Sequence, residues 1–219
     1  MHGALSESGG IPIGIVRGIV AIERYTIRVQ GQAGHAGTTP MRLREDALVK
    51  ASRIIIEIHE ALRNMEAEVV GTIGTVQVYP GAFNIIPGAV DLFLDLRAME
   101  DSVLANARKQ IQEIVACQSK AKMDPFLAKA GVALDSGIGK TIEISCRERG
   151  IPFHYLGSGA GHDAMTFQSR GIPTGMIFIP CKEGKSHCPD ESIRMGDAVM
   201  GAQILADSIV RIALGPMAA

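Results

Sequence analysis

Tryptophan is absent and aromatic residues make up only 4% of the chain. That scarcity argues against a base-stacking platform and against a membrane-interface protein with aromatic belts. No excess of positive charge exists either. With 22 Lys and Arg against 23 Asp and Glu, the formal charge is -1, so the footprint of counterion-driven nucleic-acid binding is missing. The longest apolar run near the start, Ile11 to Ile22, is broken by Arg17 and lacks a basic flank; it reads neither as a signal peptide nor as a membrane span. Cys117, Cys146, Cys181 and Cys188 form no CxxC pair, and no Asn-x-Ser/Thr sequon occurs, which fits a reducing compartment. These absences predict a cytoplasmic protein with neither nucleic acid nor membrane as partner.

What is present is ample material for a core: 47% of the 219 residues are hydrophobic, enough for one or two domains. Tyr25, Ile27 and Val29 alternate with polar neighbours, the mark of a half-buried strand over about 22 to 31, preceded by another from Ile13 to Ala21. Apolar residues from Ala47 to Met65 recur at helical spacing. Strands follow at Val69 to Tyr79 and Ala89 to Arg97, joined by the turn formers Pro80, Gly81, Asn84, Pro87 and Gly88. A helix capped by Asp101 runs to about Cys117, and a strand covers Ala121 to Leu127. This βαββαβ order predicts a ferredoxin-like split unit over 22 to 130, with residues 1 to 21 as a linking strand leading into it. From 131 to 219 helices (Ile138 to Arg149, Asp163 to Ser169, Met195 to Leu214) alternate with short strands (Phe153 to Leu156, Thr174 to Ile179). That is the pattern of a doubly wound α/β sheet. Two strands make only part of one.

Two echoes of a phosphate loop, Gly139-Lys140-Thr141 and Gly184-Lys185-Ser186, fail on spacing, because the upstream glycine would fall at Leu134 and Ile179. Gly157 to His162 lacks the last glycine of a dinucleotide fingerprint. Of six histidines, His2 is terminal, His59 lies on a helix and His154 lies beside a strand. His35, His162 and His187 instead sit in loops dense with small residues, where a side chain can face a cleft and backbone amides can bind ligand. His35 could stabilise charge developing on a carbonyl oxygen or simply cap the following helix. His187 follows a strand of the α/β part, where such sheets place ligands, and a neutral imidazole is a good zinc ligand there. Cys181 and Cys188 match no common zinc spacing. Gly157 to Asp163 precedes a helix that Asp163 can cap, and exposed amides there suit an anionic or amide-bearing ligand.

Gly34 to Met41 (GHAGTTPM), Asn84 to Gly88 (NIIPG), Asp95 to Arg97 (DLR), Ser158 to Ala164 (SGAGHDA) and Ser186-His187 occur in one order. At family-like separations they resemble the bacterial N-carbamoyl-L-amino acid and allantoate amidohydrolases, a branch of the zinc aminoacylase and carboxypeptidase superfamily. The likeness runs almost end to end, and SGAGHDA disfavours an aminoacylase or dipeptidase relative. It implies hydrolysis of a small carbamoyl or ureido amide, using two divalent ions, zinc or manganese, that activate a bridging water with a glutamate as general base. It further implies that His187 is the carboxy-terminal metal ligand. His35 would be a lid histidine that enters the partner subunit's site and polarises the scissile carbonyl. Asn84 and Arg97 would clamp the substrate carboxylate, and Gly161 and His162 would face the substrate. The ferredoxin-like unit becomes a lid through which two copies pair as a homodimer. In that family a segment bearing most metal ligands and the paired glutamates comes before the part matched here, and this sequence contains none of it. The chain is therefore expected to retain few or no metal ions and to be inactive alone. A non-catalytic dimerisation or binding module is the alternative.

Overall fold

The computed structural model describes residues 10–215, so His2 and the amino-terminal residues before Gly10 lie outside it. Two compact units are present: one spans Ala21 to Gly131, and the other combines the described residues up to Val20 with those from Val132 onward. The first described strand, β1 (Ile13–Ile19), belongs to the second of these and is taken up below.

The unit from Ala21 to Gly131 contains β2 (Ala21–Gln30), β3 (Gly34–His35), α1 (Ala47–Arg63), β4 (Val69–Tyr79), β5 (Ile85–Ile86), β6 (Ala89–Ala98), α2 (Asp101–Cys117) and β7 (Ala121–Lys129). Its antiparallel sheet runs β4-β6-β2-β7, the ferredoxin-like order expected from the sequence. Alternation explains the pairing. Tyr25, Ile27 and Val29 stand opposite Leu94, Leu92 and Val90, and all six are buried. Against them pack Ala51, Ile54 and Ile58 of α1 and Leu104, Ala107 and Ile111 of α2, each large side chain contributing about 1.5 to 3 kcal/mol of burial. Asp46 starts α1 by accepting the amides of Leu48 and Val49. Asp101, expected as a cap, is instead the first helical residue of α2, preceded by Glu100 with no side-chain capping bond; its charge still suits the positive end of the helix dipole. A short strand, β5, also forms inside the stretch read as turn formers, paired with β3.

The second unit contains β1, β8 (Val132–Ala133), α3 (Ser136–Glu148), β9 (Phe153–Ser158), α4 (Ala164–Ser169), β10 (Ile177–Phe178) and α5 (Met195–Leu214). Here the structure corrects the sequence reading. β1 is not a linking strand but the centre of a four-stranded sheet, parallel to β9 and antiparallel to β8 and β10. The physical reason lies in its residues, IGIVRGI, of which only Arg17 is exposed; a strand apolar on both faces needs cover on both. Ile13 and Ile15 pack with Ile142 and Cys146 of α3 and Ile204 of α5. Val16 and Ile19 pack with Leu156 and Phe178, against which Ala164 and Met165 of α4 lie. Helices on both faces fit the doubly wound expectation. The strand expected at 174 to 179 shortens to Ile177–Phe178, since the Thr174 amide is taken by the Gln168 side chain at 2.9 Å and its carbonyl by the Asp135 amide. Asp163 makes no side-chain cap to α4. Among the described residues no helix is long and apolar enough to cross a membrane.

Candidate functional site

His35 and Asn84 come together. β3 and β5 form a two-stranded ribbon with His35 opposite Ile85, and the Ala36 amide donates to the Asn84 carbonyl at 3.0 Å. His35 is exposed, and it does not cap the next helix, a role Asp46 fills. The Gly37 amide donates to His35 Nδ1 at 3.0 Å. With Nδ1 accepting, the neutral ring carries its proton on Nε2, an assignment made from the hydrogen-bond pattern. That leaves an outward N–H donor of the kind that steadies a developing oxyanion. Exposed apolar residues flank the ribbon in sequence: Phe83, just before Asn84, is 102% exposed, and Met41 and Leu43, in a 3-10 turn after the His35 loop, are 76% and 63% exposed.

Arg97 lies elsewhere. The ribbon leaves the sheet at the end of β6 marked by Ala89, where Gly88 bonds Tyr79 and Gly31, whereas Arg97 is near the other end of that strand. At about 3.3 Å per residue the intervening strand covers roughly 26 Å. Arg97 Nε donates to Asp95 Oδ1 at 2.6 Å, and Arg24 Nε donates to Asp95 Oδ2 at 2.7 Å from directly across the ladder. Burial opposes ionisation of Asp95, but these bonds from Arg97 and Arg24 prevail and hold its carboxyl below the ordinary value. Next along the same pair of strands, Arg28 grips Asp91 with two bonds, at 2.8 and 2.7 Å.

In the other unit, half-buried His162 stands with Nε2 3.1 Å from Ser158 Oγ and its ring 5.8 Å from that of Phe178. The Ser158 hydroxyl spends its proton on the Ala160 carbonyl at 2.8 Å. His162 Nε2 is therefore the donor to Ser158, leaving Nδ1 as an acceptor in the neutral ring. Burial lowers the His162 pKa, with Asp163 pulling the other way. Gly161 is exposed in the same loop.

His187 occupies the left-handed region at φ 57°, a conformation uncommon for a residue with a Cβ. Its amide donates to Glu191 Oε2 at 3.0 Å. Catalytic zinc sites use three protein ligands, yet among the described residues no group of three or more His, Cys, Asp or Glu side chains could hold a metal ion. Among the described residues, His187 by itself does not make up a metal centre. A cavity of about 520 Å³ among Pro180, Cys181, Lys182, Ile193, Arg194 and Asp197 touches none of the six candidate residues.

Sequence reasoning passed over Arg44. Its Nε donates to the Thr39 carbonyl at 3.0 Å, and its Nη2 to the carbonyls of Ala36 at 2.5 Å and Thr39 at 2.9 Å. Contacts to main-chain oxygen leave no trace in residue spacing. Arg24 was passed over too, because its partner Asp95 is 71 positions away.

The fold is shared with solved amidases of the hydantoinase/carbamoylase family. That of Burkholderia multivorans matches with a TM-score of 0.85 at 30% identity, covering 98% of this chain and 53% of that one. The protein of Burkholderia vietnamiensis gives 0.86 at 30%, over 96% and 52%. The chain belongs to Peptidase family M20/M25/M40, whose pattern matches residues 2–211. Among curated relatives, the N-carbamoyl-L-amino acid amidohydrolase of Geobacillus stearothermophilus is 35% identical over 98% of this chain and 53% of its own length. The allantoate amidohydrolase of Escherichia coli (strain K12) is 33% identical over 97% and 53%. The chain thus spans about half the length of the curated relatives it matches.

Proposed function

We propose that this chain is the lid and the carboxy-terminal catalytic portion of a metal-dependent amidohydrolase that cleaves linear carbamoyl or ureido amides. The relatives' names support the substrate class. The observation that carries the reading is the β3–β5 ribbon, in which His35 and Asn84 are both exposed, the main chain around them is tied by the Ala36–Asn84 bond, and the Gly37 amide on His35 Nδ1 leaves Nε2 as the imidazole donor. In this reading His35 Nε2–H donates to the scissile carbonyl oxygen as charge develops there, and Asn84 and Arg97 hold the substrate carboxylate. Arg97 suits that task because a guanidinium fork matches two carboxylate oxygens. His162 and Gly161 line the substrate loop, and His187 supplies one ligand to divalent metal, either zinc or manganese, whose chemistry is activation of water.

Arg97 and the ribbon lie at opposite ends of β6, so a small substrate meets both only if two chains contribute. We therefore propose a homodimer, with the lids as its seam and the exposed Phe83, Met41 and Leu43 seated against the partner. The α5 row Val199, Leu205, Ile209 and Ile212, exposed while Ile204 is buried, supports a catalytic unit that packs against further polypeptide. To test the function, ammonia release from N-carbamoyl-L-amino acids, allantoate and ureidoglycolate is assayed with added manganese or zinc. The protein assayed is a chimera joining the amino-terminal half of the Geobacillus relative to this chain. Turnover that His35→Ala abolishes is expected; turnover unaffected by His35→Ala, or a chimera that folds and hydrolyses none of the three, rejects the reading. Light scattering tests the dimer, and a strictly monomeric mass at micromolar concentration counts against it.

A further inference from the structure

The loop bearing His35 has almost no apolar packing of its own: Ala36 to Thr39 are small, His35, Gly37 and Thr38 are exposed, and Ala36 and Thr39 are only half-buried. A segment so poor in buried contacts is normally mobile. The arch from Gly31 to Ala47 is nevertheless tied at several points. The Gln32 amide donates to the Glu45 carbonyl at 2.7 Å, and the Ala47 amide donates to Pro87 at 3.0 Å. Between those ties Arg44 reaches across to the crown and bonds two carbonyls three residues apart, Ala36 and Thr39. The same two positions bracket the turn in which the Thr39 amide meets the His35 carbonyl at 3.2 Å and the Gly37 amide meets His35 Nδ1.

We infer that Arg44 is a positioning residue for His35: by bridging the Ala36 and Thr39 carbonyls, it holds Gly37 N–H on Nδ1 and so keeps the imidazole proton on Nε2. The chemistry calls for arginine. A planar fork spans two carbonyls at once, whereas a lysine ammonium is a point charge on a flexible stem. The inference rests on the role proposed for His35, but it is read without turnover.

The test uses the 219-residue chain labelled with ¹⁵N, about two pH units above the ordinary histidine value so that the rings are neutral. Long-range ¹H–¹⁵N correlations report the His35 tautomer, assigned by its loss in His35→Gln, and magnetisation transfer from water reports exchange of the Gly37 amide. Wild type is expected to show mainly the Nε2–H form. In Arg44→Ala the tautomer ratio should move toward that of free histidine, and Gly37 should exchange about fivefold to tenfold faster, the factor expected for losing one hydrogen bond. Arg44→Lys should behave like Arg44→Ala despite keeping the charge. Amides of Leu92 and Leu94 serve as folding controls, since a purely stabilising role would move the unfolding midpoint and leave the tautomer of folded molecules alone. An Nδ1–H wild type, variants with unchanged tautomer and unchanged Gly37 exchange, or failure of both variants to fold would each overturn the inference. If His35→Ala leaves chimera turnover intact while Arg44→Ala shifts the tautomer, the catalytic role falls and the positioning stands. The opposite pattern sinks the positioning alone.

Discussion

Asp95 and Arg97 stand two residues apart on β6, with Nε of Arg97 2.6 Å from Oδ1 of Asp95, so the guanidinium expected to meet a substrate carboxylate is already oriented by one of its own chain. Arg24 shares that carboxylate from the facing strand. Arg97→Lys in the chimera should weaken binding of carboxylate-bearing substrates by about 1 to 3 kcal/mol, because a point charge replaces a fork. The Michaelis constant should rise more than turnover falls. An unchanged Michaelis constant would remove Arg97 from the site.

Gly31 tolerates no side chain. A Cβ built there would stand 2.1 Å from the Glu45 carbonyl oxygen and 2.7 Å from the Ala47 nitrogen, both main chain. Gly31→Ala should therefore destabilise the ferredoxin-like unit by about 1 to 3 kcal/mol, measured by urea unfolding. Wild-type stability in that variant would mean the strand exit shifts at no cost.

Acid should unfold the second unit in two windows. Lys140, Arg147 and Tyr155 all donate to Glu143 and hold its carboxyl down at about 2, below the usual 4.5. A depressed carboxylate adds stability above its unfolded value and loses it as pH falls through the folded one, so this contribution drains between about 4.5 and 2. His162, lowered chiefly by burial, takes up a proton more readily when unfolded, and its contribution starts to fade as pH drops below about 6.5. Melting temperatures across pH should fall in both windows. Glu143→Gln should flatten the lower one and His162→Asn the upper, and a profile unaltered by either substitution contradicts these assignments.

By itself the chain should retain less than one tightly bound metal ion after gel filtration. One imidazole, His187, leaves most of a coordination shell to water. Ammonia release from carbamoyl substrates should stay at background. Elemental analysis alongside the assay checks both, and stoichiometric metal with turnover would point to a site built around Cys181, Cys188, His162 or Asp163.

The parts legible from sequence are those set by periodicity. Both helices of the ferredoxin-like unit and its four strands follow from apolar spacing, because Ile54 and Ile58, or Leu92 and Leu94, share a face by local geometry alone. The place of β1 was not legible. Its strand character is local, but its partners Phe153 to Ser158 lie more than 130 positions away, and nothing in IGIVRGI says which sheet it completes. β8 has two residues, too few for any period. At the site, His35 and Asn84 could be picked out by their small neighbours and family motifs. Their adjacency, the distance to Arg97 and the grip of Arg44 needed the register of β3 on β5 and the course of β6.

Each unit pairs the strands that begin and end it: Ile19 pairs with Val132 in one, and Ile22 pairs with Lys129 in the other. Neighbouring strands are about 5 Å apart, so in the unit that hosts β1 the paired ends of β1 and β8 stand one hairpin width apart. Joining Ile19 to Val132 by a two- to four-residue turn of the usual hairpin kind would convert β1 and β8 into a simple hairpin. The host would lose no strand of its own sheet. Because β1 and β8 pair with each other, the chain between them can change in length without removing a strand from that sheet.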